Sequence, residues 1–262
     1  MALVIHTIPA FQDNYLWLFH QSDSKEAFVV DPGDAHVVHE KLKALGLTLG
    51  GILITHHHPD HTGGINALLN TYAVPVYGPH SPHIPQIDQP QSQGSRITLA
   101  DTSFTVLEIP GHTLDHIAFF AEPTNEAPLV FAGDTLFTAG CGRIFEGTAE
   151  QMYTSLEKLN ALPSNTRVYC AHEYTLSNLA FAAAVEPDNA AIQNKITTDT
   201  AKRAANTPTV PSTLKVERET NPFLRCSSPH VIAAANNRVE QELKQAVDVL
   251  REIRHWKDNF KA

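Results

Sequence analysis

Histidine is the outlier of this sequence. There are 15, and His56, His57, His58 and His61 fall within the single segment Thr55-His56-His57-His58-Pro59-Asp60-His61. Neutral imidazole nitrogen and carboxylate oxygen are the donors that zinc, iron or manganese accept, so His56, His58, Asp60 and His61 are candidate ligands. Taken alone, the segment also fits an exposed polyhistidine loop with adventitious metal affinity. Three further donors argue against that, because each follows an apolar run of strand character: His112 in Ile109-Pro-Gly-His112, Asp134 in Phe131-Ala-Gly-Asp134, and His172 in Cys170-Ala-His172. Together these donors exceed what one tetrahedral zinc takes and suit two ions of higher coordination. Two divalent cations about 3.5–4 Å apart repel, and a bridging carboxylate with a bridging hydroxide offsets the repulsion. Asp134 is the candidate bridge. Such a pair lowers the pKa of bound water to about 7 and polarises a carbonyl, which makes hydrolysis the economical reaction.

Donors so far apart in sequence need strand ends gathered on one rim. Short apolar or alternating runs predict strands at Leu3 to Thr7, Tyr15 to Phe19, Ala27 to Val30, Gly51 to Thr55, Pro75 to Tyr77, Phe104 to Ile109, Ile117 to Phe120, Leu129 to Phe131 and Arg167 to Cys170. Apolar residues three and four apart predict helices at Ala35 to Leu45, His61 to Asn70 and Thr148 to Ala161. The mixture favours packed sheets flanked by helices, an α+β class, over a doubly wound sheet. After about Tyr174 the texture turns helical, with predicted helices at Thr175 to Val185, Pro187 to Ala205 and Arg238 to Phe260 and a Pro-rich stretch, Thr207 to Thr213, among them. The reading is therefore a catalytic domain over 1–173 and a helical, substrate-binding domain over 174–262.

Composition narrows the class of partner. With 42% hydrophobic residues in 262, the chain can bury a sizeable core. Its net charge of -9 disfavours broad attraction to nucleic acid or anionic membrane. No apolar run reaches the roughly 20 residues of a membrane helix, and the first 20 residues hold no Lys or Arg, so a cytoplasmic address is expected. The expected partner is a small-molecule substrate and the expected state a monomer. Cys141, Cys170 and Cys226 are odd in number and far apart, which argues for reduced thiols.

The motif His56-x-His58-x-Asp60-His61 with Gly63-Gly64, followed in order by His112, Asp134 and His172, resembles the metallo-β-lactamase superfamily of dinuclear hydrolases. More narrowly, the chain is similar to the glyoxalase II, or hydroxyacylglutathione hydrolase, family. That likeness rests on Ile8-Pro-Ala-Phe-Gln-Asp-Asn-Tyr15, Gly133-Asp-Thr-Leu-Phe137, Gly140-Cys-Gly-Arg143, Phe145-Glu-Gly147, His172-Glu-Tyr-Thr175, Asn221-Pro-Phe-Leu-Arg225 and the basic C-terminal helix. The resemblance implies a four-layer αββα sandwich followed by a helical domain. It assigns His56, His58 and His112 to one metal, Asp60, His61 and His172 to the other, and Asp134 to both. Asp60 and Asp134 become the catalytic carboxylates, and His57 a supporting or structural residue. The metals are two divalent ions, zinc first, with iron or manganese as alternatives. The implied reaction is attack of a metal-bridging hydroxide on S-D-lactoylglutathione, giving D-lactate and glutathione in methylglyoxal detoxification.

A thioester suits such a site, because a thiol leaving group of pKa near 8.5 departs without a dedicated general acid. Glutathione carries two carboxylates and needs local cations. Arg254, Lys257 and Lys261 recur at helical spacing, which fits a clamp but equally fits basic residues complementing a helix macrodipole. The resemblance favours substrate contact for Arg254 and Lys257, with Arg143 and Tyr174, and gives Lys261 no such support. Phe145 departs from relatives that carry a Tyr there, and its ring can only pack. Arg143 replaces a Lys, keeping charge but presenting a planar fork, and Ala171 stands where Gly is common. A persulfide dioxygenase, also a glutathione enzyme but with one iron, is the nearest competitor; metal count and oxygen uptake separate the two. A noncatalytic metal-stabilised scaffold would show no turnover.

Overall fold

The computed structural model describes residues 2–124, 126–239 and 242–261. The chain divides into two compact units, Met1–Glu108 with Asp115–Gly133, and Ile109–Leu114 with Asp134–Ala262.

In the first unit, β1 (Leu3–Ala10), β2 (Asn14–Gln21), β3 (Glu26–Val30), β4 (Thr48–Leu53), β5 (Val76–Pro79) and β6 (Gln89–Gln91) form one sheet in that order. It begins antiparallel and becomes parallel from β3 onward. Helices α1 (Ala35–Leu45), α2 (Pro59–Thr62) and α3 (Ile65–Leu69) fill the crossovers. Strands β7 (Arg96–Leu99), β8 (Thr102–Glu108), β9 (Ile117–Ala121) and β10 (Leu129–Gly133) form an antiparallel run. Strand β2 is buried on both faces, and its period of two explains how. Leu16 and Leu18 join Val38 and Leu42 of α1 in one core, while the Phe19 ring lies tilted against Phe104 at 5.4 Å and stacks on Phe131 at 5.5 Å, both on the antiparallel strands. Two apolar layers on one strand is the signature of a sheet covered on both sides.

The second unit holds the hairpin β11 (Leu136–Phe137) and β12 (Gly140–Cys141), then α4 (Ala149–Asn160), β13 (Arg167–Cys170), α5 (Thr175–Val185), α6 (Ala190–Ala204), β14 (Ser212–Thr213), α7 (Leu214–Thr220), α8 (Pro229–Val239) and α9 (Ala246–Asp258). Thr148 and Gln151 close a reciprocal capping box on α4. Phe181 of α5 stacks on Phe223 at 5.9 Å and meets the edge of Trp256 from α9 at 5.2 Å. Among the described residues no helix is long and apolar enough to cross a membrane.

Three helix expectations change. His61 to Asn70 is two short helices broken at Gly63-Gly64, because that pair lies against the backbone of Pro32 and Gly33; a Cβ on Gly64 would come within 2.3 Å of the Pro32 carbonyl oxygen. Arg238 to Phe260 is not one helix. Residues up to Val239 end α8, Asn236 Oδ1 accepts the Leu243 amide at 2.8 Å, and α9 starts only at Ala246. Helix α9 also ends at Asp258, so Lys261 lies beyond it and shares no helical face with Arg254 and Lys257. Helix α7, strands β6 and β7 and the paired dipeptides β11, β12 and β14 carry too few apolar residues, or are too short, to show a period.

Candidate active site

In the first unit the strand β4 runs out through Ile54 and Thr55 into the histidine segment. Pro59 occupies the first turn of α2, where a missing amide hydrogen costs nothing, so it starts a helix. One turn of helix therefore carries both Asp60 and His61, and His58 stands at its N-cap. His56 and His61 are buried, and His56 Nε2 lies 3.1 Å from His58 Nδ1. The His56 ring stacks on buried His116, with centroids 4.6 Å apart. Asn14 Nδ2 donates to Asp60 Oδ2 at 2.9 Å.

Asp31 is a functional residue that the spacing of the histidine segment does not point to. This carboxylate is buried and accepts three hydrogen bonds: the Thr55 amide and hydroxyl, both at 2.7 Å, and His61 Nδ1 at 3.0 Å. With Nδ1 donating, His61 keeps the Nε2 lone pair for a metal. Asp31 has φ 51°, a left-handed conformation for a non-glycine residue, which its three bonds hold in place. It ends strand β3 just as Asp134 follows β10, so the strand-end signal that found Asp134 was present here too. His57 has the same kind of contact between Nδ1 and a carboxylate, but it belongs to none of the metal-holding groups found among the described residues. Its Nδ1 lies 3.0 Å from both Asp115 oxygens, and its ring tilts over His83 at 4.7 Å.

The second unit carries the remaining three donors. Asp134 Oδ2 lies 3.5 Å from His112 Nε2 and 3.3 Å from His172 Nε2, and all three residues are buried. The His112 Nδ1–H donates to the Arg143 carbonyl at 2.8 Å, which again reserves Nε2. The His172 ring lies parallel to Tyr174 at 4.7 Å and edge-on to Phe137 at 5.8 Å. Neutral imidazoles with one nitrogen engaged, beside carboxylates, fit a borderline divalent ion. Each of the seven donors offers a ligand atom to a group able to hold a metal.

The four residues expected at the substrate also lie in this unit. Arg254 is buried; its Nη1 donates to the Cys141 carbonyl at 2.8 Å and its Nη2 to Asp258 Oδ1 at 3.0 Å. Arg143 is exposed and approaches the same Asp258 oxygen at 3.7 Å. Lys257 Nζ donates to the Ser177 carbonyl and hydroxyl at 2.9 and 3.1 Å, with the Phe181 ring 5.5 Å away. Burial, then the neighbouring Arg254, pulls its ammonium down to about 8. Asp258, one helical turn after Arg254, went unnoticed in the sequence although the i,i+4 spacing announces it. Phe145 is 62% exposed and packs its edge on His112 at 5.3 Å. All three cysteines are buried thiols; burial raises each, and Cys170 reaches about 12, which removes them as nucleophiles near neutral pH.

The Metallo-beta-lactamase superfamily model matches residues 11–172, and the Hydroxyacylglutathione hydrolase C-terminus model matches 173–260. A hydroxyacylglutathione hydrolase of Hahella chejuensis is 50% identical over 253 residues, covering 97% of this chain and 98% of the relative. That of Shewanella halifaxensis is 48% identical over 262 residues, covering 98% and 100%. Among solved structures, ETHE1 from Myxococcus xanthus superposes with a TM-score of 0.67 at 23% identity, covering 98% of this chain and 90% of that one. TTHA1623, crystallised in a di-iron-bound form, gives 0.59 at 25% identity, covering 84% and 99%. The fold is thus the α+β, αββα metallo-β-lactamase fold with a C-terminal helical region, and its His and Asp groups are able to bind divalent metal. The chain belongs to the hydroxyacylglutathione hydrolase family of the metallo-β-lactamase superfamily.

Proposed function

We propose that this protein is a metal-dependent thioesterase that hydrolyses S-D-lactoylglutathione and related 2-hydroxyacyl glutathiones to the hydroxy acid and glutathione, and so serves methylglyoxal detoxification. In this reading His56, His58 and His112 hold one divalent ion, Asp60, His61 and His172 the other, and Asp134 both. Zinc, iron and manganese all suit these donors. Bound there, the ions supply Lewis acidity toward water and the acyl carbonyl. Asp31 and the Arg143 carbonyl fix the tautomers of His61 and His112, and Asn14 orients Asp60. The protein acts as a monomer on a small molecule, with no nucleic-acid or membrane partner.

One observation carries the substrate assignment: two of the tail-binding candidates touch two of the ligands. The Arg143 backbone accepts from His112, and the Tyr174 ring lies on His172. A substrate held by Arg143, Tyr174, Arg254 and Lys257 would bring a carbonyl near these ligands while its two carboxylates meet cations. The leaving thiolate needs no acid of its own. The test is thiol release from S-D-lactoylglutathione set against a small neutral thioester without glutathione. Rapid turnover of the first and poor turnover of the second supports the reading; equal rates on both would remove the glutathione assignment.

A further inference from the structure

In the motif Asn221-Pro-Phe-Leu-Arg225, the Phe223 ring meets the Arg254 guanidinium at 5.1 Å and the first residue is fully buried. What it holds is the hairpin β11–β12. Asn221 Nδ2 donates to the Gly140 carbonyl at 2.9 Å and the Phe137 carbonyl at 3.2 Å. Buried Glu217, one turn earlier on α7, accepts the Ala139 amide at 2.7 Å, Asn221 Nδ2 at 3.2 Å and the Ser212 hydroxyl at 2.5 Å. Asn178 of α5 donates to the Thr138 carbonyl at 3.0 Å, and Arg254 of α9 takes the Cys141 carbonyl. Four side chains from the helices thus take up main-chain groups from Phe137 to Cys141. Ala139 has φ 55°, a left-handed conformation that is costly for a non-glycine residue and persists only where its surroundings hold it.

The legs of this hairpin lead straight to the candidate ligands. Asp134 lies just before β11, and Arg143, whose carbonyl fixes His112, lies just after β12. The legs touch: Gly142 donates to the Thr135 carbonyl at 3.2 Å, and a Cβ on Gly142 would fall 1.9 Å from the Asp134 carbonyl oxygen. A shift of the turn therefore moves both Asp134 and the acceptor that sets the His112 tautomer.

We propose that Glu217 and Asn221 are positioning residues for hydrolysis: by gripping the strained Thr138–Gly140 turn, they hold Asp134 and, through the Arg143 carbonyl, His112 in ligand orientation. The proposal rests on the two-metal reading given above. The grip is by hydrogen bonds and needs no charge. A glutamine in place of Glu217 keeps an oxygen for Ala139 and Asn221, and its amide nitrogen can donate to the Ser212 hydroxyl oxygen. Alanine keeps none of these.

The test compares wild type, Glu217→Ala, Glu217→Gln and Asn221→Ala as full-length chains. Three properties are read: zinc affinity of the metal-free protein by chelator competition, the His112 tautomer of the metal-free protein by nitrogen-15 NMR, and kcat and KM for lactoylglutathione. Glu217→Ala and Asn221→Ala should bind zinc 10- to 100-fold more weakly, lose the fixed Nδ1–H tautomer of His112 and drop in kcat more than they rise in KM. Glu217→Gln should stay within about threefold of wild type in all three. If Glu217→Ala does not fold, Asn221→Ala decides by the same readings. Unchanged zinc affinity and an unchanged His112 tautomer in a folded alanine variant would overturn the proposal. A Glu217→Gln protein as impaired as Glu217→Ala would overturn it as well. A wild type that binds no second zinc fails the two-metal reading instead, and the His112 tautomer still decides whether the clamp positions that side chain.

Discussion

Asp31 offers the sharpest single perturbation, because its carboxylate meets three donors and only one of them is on a candidate ligand. In Asp31→Asn one oxygen becomes an N–H donor. Keeping that oxygen on the Thr55 amide, 2.7 Å away, turns the new donor toward the Thr55 hydroxyl and His61 Nδ1. The hydroxyl can rotate and accept. His61 can accept only as the tautomer with its proton on Nε2, the nitrogen that must bind metal. The expected loss is 10- to 100-fold in affinity for the metal that His61 binds, about 1.4–2.7 kcal/mol. Backbone strain does not explain such a loss, since asparagine tolerates a φ of 51° at least as well as aspartate. Asp31→Gly provides the complement: it relieves the strain and deletes both acceptor oxygens, so it should lose metal affinity at least as far. Chelator competition on metal-free protein, alongside thermal melts, measures both. A folded Asp31→Asn protein that binds both metals within twofold of wild type would refute the reasoning that the carboxylate sets the His61 tautomer.

Asp134→Ala removes the oxygen that lies 3.5 Å from His112 Nε2 and 3.3 Å from His172 Nε2 and should lower bound metal and kcat together, read by elemental analysis and turnover on one sample. Lys257→Ala should chiefly raise KM for lactoylglutathione, by roughly 10-fold or more for a charge-assisted contact, with salt reducing the effect. Arg254→Ala should raise KM and also lower kcat, because its guanidinium holds the Cys141 carbonyl of the hairpin; a pure KM effect would separate Arg254 from the hairpin. Burial holds the Lys257 ammonium down at about 8, so the charged form dominates below that pH and is lost above it. KM should therefore climb as pH passes about 8 in wild type and stay flatter in Lys257→Arg, whose guanidinium keeps its proton; a parallel rise in both would assign the titration elsewhere.

The candidate donors were legible in the sequence because each sits where an apolar run stops, and β4, β10 and β13 do end one to three residues before His56, Asp134 and His172. Helices α1 and α5 were legible to the residue, since Asp34 caps the first and the second is a run of Leu and Ala, strong helix formers. The hairpin β11–β12 was not, because two-residue strands have no period and their stability comes from Asn178, Glu217, Asn221 and Arg254, residues remote in the chain. Asp31 was missed for a related reason: a lone Asp-Pro-Gly reads as a turn, and only the fold brings Thr55 and His61 to it. Side chains whose role is to hold another group leave little trace in local spacing.

The central claim is two divalent ions cooperating in thioester hydrolysis. Metal-free protein titrated with zinc, with thiol release from S-D-lactoylglutathione and oxygen uptake followed on the same sample, tests it most directly. Activity should rise to a plateau at two equivalents of zinc per chain, with no oxygen consumed. Full activity at one equivalent, or turnover that consumes oxygen, would contradict it.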